Sequence, residues 1–449
     1  MSDIKTISGF SKLSKSDKIK WVVKHFYKDP EQVMQELMSW WHRDEEQQKL
    51  LDGFSENTIS NFPMPFGIAP NFLINGKAYA VPMVIEESSV VAAASSAAKY
   101  WMDRGGFHAQ VLGMKKVGQV HFTWKGEMRK LESVFEELKT ELRKDAAPIT
   151  ANMEKRGGGV LDIELVNFAH LEEGYYQLKV TFDTCDSMGA NFINSALESF
   201  AKTLDRFISD HPIFDEGVER DISIIMSILS NYTPECLVRA WVECPVENLG
   251  PFSSGLDAAL LAEKFRKAVR IAHLDPHRAA THNKGIFNGI DAVVLATAND
   301  FRAVEACGHT YAARDGQYRS LSQCTVENGL FRFWLDIPLA LGTVGGLTKL
   351  HPIAKHSLEL LGHPTAEELM MIVASVGLAQ NFAAVRSLVT TGIQQGHMKM
   401  HLANILNHLG AKGQEVEKAM AYFDGKVISF TGVREFLETL RQKQAAKVV

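Results

Sequence analysis

The stretch QVHFTW, residues 119–124, predicts a β-strand that opens a run of alternating strands and helices. The elements expected after it are a charged amphipathic helix at Glu127–Lys144, strands at 160–168 and Tyr175–Asp183, an apolar-faced helix at Phe192–Ile208 and a closing strand at Cys236–Cys244. The order strand–helix–strand–strand–helix–strand, over about 125 residues, is typical of a small α+β domain of ferredoxin-like type.

The segments on either side of this run predict a larger, mainly helical domain. Residues 11–60 predict helices, Tyr79–Ile85 predicts a buried strand, and the small side chains of residues 87–103 predict a tightly packed helix. Residues 253–349 mix helices with short strands. The tail beyond them predicts helices at 399–409, 413–423 and 432–445.

We therefore expect an α+β fold in which the small domain is inserted into the large one and a mobile helical tail ends the chain. The expected boundaries are 1–116 for the first part of the large domain, 117–245 for the small domain, 246–395 for the second part of the large domain and 396–449 for the tail.

The composition excludes several classes of protein. Of the 449 residues, 46% are hydrophobic and 22% charged, so the chain can bury sizeable cores and is not disordered. The formal net charge of −5 gives no overall attraction to nucleic acid or anionic lipid. No run of about 18 apolar residues occurs, so no membrane-spanning helix is expected, and the N-terminus lacks the apolar core of a signal peptide. Five widely spaced cysteines argue against a disulfide framework and a zinc site, and favour a reducing cytoplasm.

Two adjacent carboxylates, Glu86 and Glu87, follow the apolar strand AVPMVI, residues 80–85. Neighbouring side chains on a strand point to opposite faces, so at least one carboxylate is expected to face inward. A buried carboxyl group has a raised pKa and can act as a general acid. The alternative is a strand-end pair, one member of which caps the next helix.

The stretch THNKGIFNGIDAVVLATAND, residues 281–300, concentrates polar groups in an apolar context. Lys284 and Asn288 flank a predicted glycine-containing turn, and Asp291 and Asp300 bound a predicted apolar strand. A lysine held near carboxylates stays protonated and can polarise a carbonyl oxygen. The alternative role for Asp300 is to cap the helix that follows it.

Two glycine-bearing stretches are candidates for a phosphate site. DTCDSMGAN, residues 183–191, precedes a helix whose first N–H groups could hold phosphate, with Gly189 allowing close approach. KRGGG, residues 155–159, places Lys155 and Arg156 beside glycines. A plain helix cap and a flexible lead-in to a strand are the respective alternatives.

GHMKMHLAN, residues 396–404, places His397 and His401 four positions apart on a predicted helix. The intervening Met-Lys-Met lacks the glutamate of a zinc hydrolase helix, so no metal site is expected. A histidine that follows Gly396 on a C-terminal segment is a candidate proton donor that swings into a site.

Six stretches, taken in order along the chain, resemble class II 3-hydroxy-3-methylglutaryl-CoA reductase, the soluble bacterial form. They are SENTISNFPMPFGIAPNFLING (55–76), VPMVIEESSVVAAAS (81–95), DSMGAN (186–191), THNKGIFNGIDAVV with TAND (281–294 and 297–300), TVGGLTKLHPIAK (343–355) and VGLAQNFAAVRSLVTTGIQQGHM (376–398). Separate motifs that match in order make this resemblance highly specific.

The resemblance implies reduction of 3-hydroxy-3-methylglutaryl-CoA to mevalonate and CoA with two nicotinamide hydrides, as in isoprenoid synthesis. It also implies that the small domain binds the dinucleotide, the large domain binds the substrate, and the tail acts as a flap. The implied catalytic residues are Glu87 in the EE pair, Lys284 in HNKG, Asp300 in TAND and His397 in GHM. In these roles the lysine stabilises the oxyanion, the two carboxylates keep it charged and oriented, and the histidine protonates the CoA thiolate.

The implied binding residues are Ser89, Asn231, Arg278 and Asn288 for the substrate, and Asp186, Met188, Gly189 and Asn191 for the cofactor. Three positions depart from the family pattern: Ser60 replaces the glycine of ENxIG, Ser88 the proline of EEPS and Ala298 the glycine of TGND. None of the three removes a catalytic group, but Ala298 constrains the backbone just before Asp300.

The coenzyme implied is NADPH, with NADH as the alternative. NADH-using members carry an acidic residue several positions before GGG, and here Thr150 falls near that position, with Lys155 and Arg156 close by and Glu154 beside them. The runner-up function is NAD-dependent oxidation of mevalonate on the same fold, and a remote one is a non-catalytic acyl-CoA-binding protein. The resemblance further implies a homodimer or higher homo-oligomer, and no nucleic-acid or membrane partner is expected.

Overall fold

The computed structural model describes residues 6–250, 257–390 and 402–445, apart from positions 425 and 427. The chain divides into two compact units between Pro65 and Phe66. The helices of the first unit are α1 (Lys15–Phe26), α2 (Pro30–Ser39) and α3 (Glu45–Asp52). Ser14 caps α1, because its hydroxyl accepts a hydrogen bond from the backbone N–H of Asp17.

The second unit contains all of the strands that the structure describes. Its elements are β1 (Phe66–Ile74), β2 (Lys77–Val84), α4 (Val90–Met102), β3 (His108–Val111), β4 (Lys116–Trp124), α5 (Met128–Ser133), α6 (Phe135–Glu154), β5 (Gly159–Asn167), β6 (Tyr175–Asp183), α7 (Ala190–Asp210), β7 (Ile222–Ser230), β8 (Leu237–Pro245), α8 (Ala258–Leu274), α9 (Pro276–Ala296), α10 (Phe301–Ala312), β9 (Ser322–Glu327), β10 (Leu330–Pro338), α11 (Leu347–Leu350), α12 (Pro352–Leu360), α13 (Ala366–Val389), α14 (402–408), α15 (Gln414–Tyr422) and α16 (Phe430–Ala445).

The small domain is built on an antiparallel sheet with the strand order β5-β6-β4-β7. Helices α6 and α7 pack against each other and against this sheet, and Val120, Leu178, Leu197 and Phe200 lie in the shared core. This strand order is that of a ferredoxin-like sheet. The predicted α+β fold class is therefore confirmed.

The strand predicted at Cys236–Cys244 is confirmed as β8, but its predicted place as the closing strand of the small sheet was wrong. The closing strand is β7, which pairs with β4, whereas β8 belongs to a second sheet with the order β3-β8-β10-β9. The periodicity of a strand shows which face is buried but not which strand is its partner, so the sequence pattern could not separate the two sheets. We propose that the small domain spans Lys116–Ser230 instead of residues 117–245.

Helix α13 is the central helix of the large domain. Nearly every side chain from Leu369 to Val385 is buried, and the helix packs on α4 and α9. By length and composition it could also cross a membrane, but 83% of its most apolar stretch is buried inside the protein. A helix that is apolar all round and covered on all sides is a core helix.

The predicted turn at 284–288 and the predicted strand at 291–300 were wrong, because one helix, α9, runs through both as far as Ala296. A short apolar run rich in β-branched side chains, here AVVLA (292–296), fits a buried helix as well as a strand. The helix holds Lys284 and Asn288 one turn apart on the same side.

The tail helices α14, α15 and α16 enclose a core of their own, with Leu406, Phe423 and Leu437 buried in it. The helices predicted there are confirmed for the part of the tail that the structure describes. His397 and His401 lie outside the described residues, as does the predicted hinge at Gly396.

Candidate active site

The structure brings Glu87 and Lys284 together. The Lys284 ammonium donates to Glu87 Oε2 at 2.9 Å, and the two side chains are 61% and 39% exposed, respectively. Glu87 lies in the loop between β2 and α4, two residues before Ser89, which precedes α4 in a left-handed conformation with φ of 79°. Glu86 is exposed and Glu87 is half-buried. The buried carboxylate that the sequence predicted is therefore not found at either position. The pair forms an open, hydrated site where a ligand can reach the lysine.

Asp300 caps helix α10, as predicted for its alternative role. Its Oδ1 accepts hydrogen bonds from the backbone N–H groups of Arg302 (3.0 Å) and Ala303 (3.2 Å). The Arg302 guanidinium also holds both carboxylate oxygens, each at 3.1 Å. Burial raises the pKa of Asp300, but the bonds from Arg302 and Ala303 outweigh it, and the net pKa is lowered. The structure describes both Asp300 and Lys284 and shows no ion pair between them.

Arg278, in the first turn of α9, is half-buried. Within the described parts of the chain, its guanidinium has no hydrogen-bond or ion-pair partner, and burial lowers its pKa. A half-buried guanidinium without a counter-ion is costly and suits a carboxylate ligand. Asn288 is also half-buried.

The two predicted cofactor stretches converge. The Cys185 thiol lies 3.4 Å from the carbonyl oxygen of Arg156, and a Cβ on Gly158 would lie 2.6 Å from the carbonyl oxygen of Asp183. Only glycine allows this approach. Lys155 and Arg156 are exposed at the end of α6, close to the turn that leads into α7.

Thr150 does not reach this surface. Its side chain is 2% exposed, on the buried face of α6 with Leu142 and Ala146. The residue therefore lacks the access that its predicted contact with a coenzyme ribose requires. Helix periodicity indicated this, because positions 142, 146 and 150 follow one another at intervals of four residues.

The DSMGAN turn is tied to the large domain. The Asp186 carboxylate accepts a hydrogen bond from the backbone N–H of Ala366, at the start of α13, at 2.7 Å. The Asp186 carbonyl accepts another from Thr343 at 2.8 Å. Gly189 precedes α7 with φ of 90°, and Asn191 is exposed in the first turn of that helix. Met188, between Asp186 and Gly189 in this turn, is half-buried.

A small pocket lies between this turn, the end of β7 and the start of α10. Met188, Asn231, Ala303 and Lys116 are among the residues that line it. The pocket therefore brings a predicted cofactor residue next to a predicted substrate residue. Sequence reasoning missed Lys116 and Arg302, and only the position of Lys116 within an apolar strand was a signal. Among the described residues, no group of three or more His, Cys, Asp or Glu side chains could hold a metal ion.

Comparison with known proteins gives matches over most of the chain. The profile of the family described as hydroxymethylglutaryl-coenzyme A reductase matches residues 17–402. A 3-hydroxy-3-methylglutaryl-coenzyme A reductase of Archaeoglobus fulgidus is 38% identical over 443 residues, which cover 97% of this chain and 94% of the relative. A probable enzyme of the same name from Borreliella burgdorferi is 32% identical over 91% of this chain and 90% of its own.

Among solved structures, the class II 3-hydroxy-3-methylglutaryl-CoA reductase of Streptococcus pneumoniae, bound to NADPH in open conformations, has a TM-score of 0.69. It is 36% identical, and the match covers 92% of this chain and 100% of that chain. The resemblance inferred from the motifs is thereby confirmed. The chain belongs to the hydroxymethylglutaryl-coenzyme A reductase family.

Proposed function

We propose that the chain is a class II 3-hydroxy-3-methylglutaryl-CoA reductase that forms mevalonate and CoA with two NADPH. The observation that carries this proposal is the ion pair between Glu87 and Lys284, because two family motifs 197 positions apart meet there at an open surface. The NADPH bound to the Streptococcus pneumoniae relative supports the same coenzyme for this chain.

The residues around the converging glycine-bearing stretches fit a phosphorylated dinucleotide. Lys155 and Arg156 are exposed cations at this surface. The first N–H groups of α7 point towards the same turn and favour a phosphate oxygen. These two cations could pair with the 2′-phosphate of NADPH, which NADH lacks, and they therefore favour NADPH.

NADPH, when bound, supplies the hydride for each of the two reductions. Lys284 stabilises the negative charge that develops on the thioester oxygen, and its partner Glu87 keeps the ammonium in place. Between the two reductions the half-exposed Glu87 takes up a proton from solvent, and it donates this proton to the aldehyde oxygen in the second reduction. Arg278, free of other partners among the described residues, binds the substrate carboxylate.

Two further catalytic groups complete the proposal. Asp300 exchanges Arg302 for Lys284 when the site closes on substrate, which adds a second carboxylate to the lysine. His397 protonates the CoA thiolate, a task suited to a group that titrates near neutral pH. Ser89, Asn231 and Asn288 remain the proposed polar contacts to the substrate.

The runner-up function is oxidation of mevalonate with NAD on the same site. Glu154 favours it, because this exposed carboxylate stands next to Lys155 and would repel a 2′-phosphate. The two cations outnumber it, so reduction with NADPH remains the first proposal.

We also propose a cytoplasmic homodimer or higher homo-oligomer. All five cysteines are free thiols, as in a reducing compartment. The exposed Glu87–Lys284 pair leaves the site open on one side, and a second subunit would cover it. Sedimentation of the full chain tests the oligomer.

A steady-state assay of the full chain with both coenzymes in both directions tests the function. We expect thioester reduction with NADPH as the fastest reaction. Fast mevalonate oxidation with NAD, and slow reduction, would favour the runner-up. No turnover in either direction by a folded chain would overturn both.

A further inference from the structure

Lys116 is a buried cation in the first position of β4. Its side chain is 2% exposed, and burial lowers its pKa. No carboxylate of the described chain lies within ion-pair distance of its ammonium, although isolated buried charges are costly. The preceding residue, Lys115, is an ordinary surface lysine, since its side chain is 51% exposed and pairs with Glu235 at 2.8 Å. A buried cation kept without a carboxylate partner points to a role at its own position.

The Lys116 ammonium binds the turn between β6 and α7. It donates to the hydroxyl of Thr184 and, at 2.8 Å, to the carbonyl oxygen of Ser187. The Thr184 hydroxyl donates to the same carbonyl at 2.6 Å. A Cβ at Gly189 would overlap the Thr184 side chain, so this side of the turn is closely packed. These contacts fix the backbone of residues 184–189 in one form.

The other side of the same turn is anchored to the large domain and, through it, to the catalytic region. The Thr343 N–H donates to the Asp186 carbonyl. One residue earlier, the Gly342 N–H donates to the Asn299 side chain at 2.8 Å, and Asn299 directly precedes Asp300. The turn is therefore held between β4 of the small domain and the segment that carries Asp300.

We propose that Lys116 is a positioning residue for the coenzyme. It holds the 184–189 turn so that Met188 and the first N–H groups of α7 face the pocket beside Asn231, ready for the nucleotide. The inference rests on the proposed function, because it assumes that this turn binds NADPH. Lys116 also lines that pocket, and only two of its three N–H donors have protein partners in the described structure.

The test compares Lys116→Met with its matched control, Lys115→Met, in the full chain. We expect Lys116→Met to raise the KM for NADPH about tenfold, which corresponds to about 1.4 kcal/mol, the size of one lost hydrogen bond. The KM for 3-hydroxy-3-methylglutaryl-CoA should stay within about twofold, because the turn touches the coenzyme side of the site. Lys115→Met should change neither constant. Lys116→Arg, which keeps the charge and can donate to the same oxygens, should restore part of the affinity.

Thr184→Val keeps the shape of the turn and removes one partner of Lys116, so it tests the proposal even if Lys116→Met does not fold. We expect the same selective rise in the KM for NADPH. Equal rises in both KM values, or no rise with either variant, would overturn the proposal. Equilibrium titration with NADPH, followed by its fluorescence, separates the two levels of inference. A parent chain that turns over substrate and variants that bind NADPH normally refute only the role of Lys116, whereas a parent that does not bind NADPH refutes the proposed function as well.

Discussion

The guanidinium of Arg302 donates one hydrogen bond to each carboxylate oxygen of Asp300, with two nitrogen–oxygen distances of 3.1 Å. Two parallel bonds of this kind orient a carboxylate as well as attract it. The aspartate expected beside Lys284 is therefore held on its own helix in this structure. In this structure Asp300 pairs with Arg302 and Lys284 pairs with Glu87, and the proposed closure would exchange the first of these pairs.

Replacing Arg302 by glutamine should raise the pKa of Asp300, because the guanidinium is one of the groups that lower it. A carboxylate with a lowered folded pKa stabilises the protein above its unfolded pKa, and this contribution is lost as the pH falls through the folded pKa. In Arg302→Gln both that loss and the acid limb of the rate should move to higher pH. The pH profiles of kcat/KM and of Tm measure the two effects. Arg266→Gln, which breaks an ion pair within α8, is the control, and an unmoved acid limb in Arg302→Gln would refute the coupling.

Lys284→Ala should abolish thioester reduction in a folded protein. Loss of a preorganised oxyanion donor costs about 10²–10³ in kcat. The measurement is NADPH oxidation at saturating substrate, with circular dichroism to show that the fold is kept. Lys264→Ala, at an exposed position on α8, should be silent. A Lys284→Ala rate close to that of the parent would remove this lysine from the mechanism.

The coenzyme preference should depend on Lys155 and Arg156. We expect the parent to have a higher kcat/KM with NADPH than with NADH, and the double change to alanine to lower only the NADPH value, since NADH lacks the 2′-phosphate. Aspartate at position 150 is unsuited to this test, because Thr150 is buried and a carboxylate there would destabilise α6. A parent that prefers NADH by about tenfold would contradict the role of the two cations.

Ala298→Gly should stabilise the protein. Ala298 has φ of 53°, a left-handed conformation that costs about 1–2 kcal/mol for a residue with a Cβ. Glycine removes that strain but makes the unfolded chain more flexible, so the expected net gain is about 0.5–1 kcal/mol in the free energy of unfolding. Urea denaturation measures it. Ala280→Gly, on the exposed side of α9, should lose about 1 kcal/mol instead, and a loss in both variants would contradict the strain.

His397→Gln should impair reduction of the thioester far more than reduction of free mevaldehyde. The aldehyde releases no thiolate, so it does not need the proton that the histidine is proposed to supply. The ratio of the two half-reaction rates is the measurement. His401→Gln serves as the control and should be mild, whereas equal losses on both substrates in His397→Gln would leave the residue with a positioning role only.

The motifs located the site better than the local patterns located the secondary structure. The motifs EESS and HNKG pointed to Glu87 and Lys284, and the structure joins these two side chains in an ion pair. A motif names a functional residue by its type and its neighbours, so it does not depend on the secondary structure around it. The strand predicted up to Asp300 was a helix, because Val293 and Val294 suit either conformation when both sides are buried.

What the sequence could not supply were relations between distant segments. The exclusion of β8 from the small sheet depends on its pairing with β10, which lies about 90 residues later. Spacing along the chain also does not show that Asp300 pairs with Arg302 and Lys284 with Glu87. The support that Lys116 gives to the DSMGAN turn likewise follows from the pairing of β4 with β6.

The pairing of Val117 with Ser230 places the first and last strands of the small domain side by side where they join the rest of the chain. The chain thus enters and leaves the inserted segment through two adjacent strands that are hydrogen-bonded to each other, and the contacts of Asp186 with Thr343 and Ala366 form a second attachment. A tilt of this segment as a unit would break the contacts of Asp186 but not the core of the segment, and the two chain ends lie close enough to be cut and rejoined without rethreading. A graft of this segment from a relative would therefore need two neighbouring backbone junctions and a partner surface that keeps the contacts of Asp186.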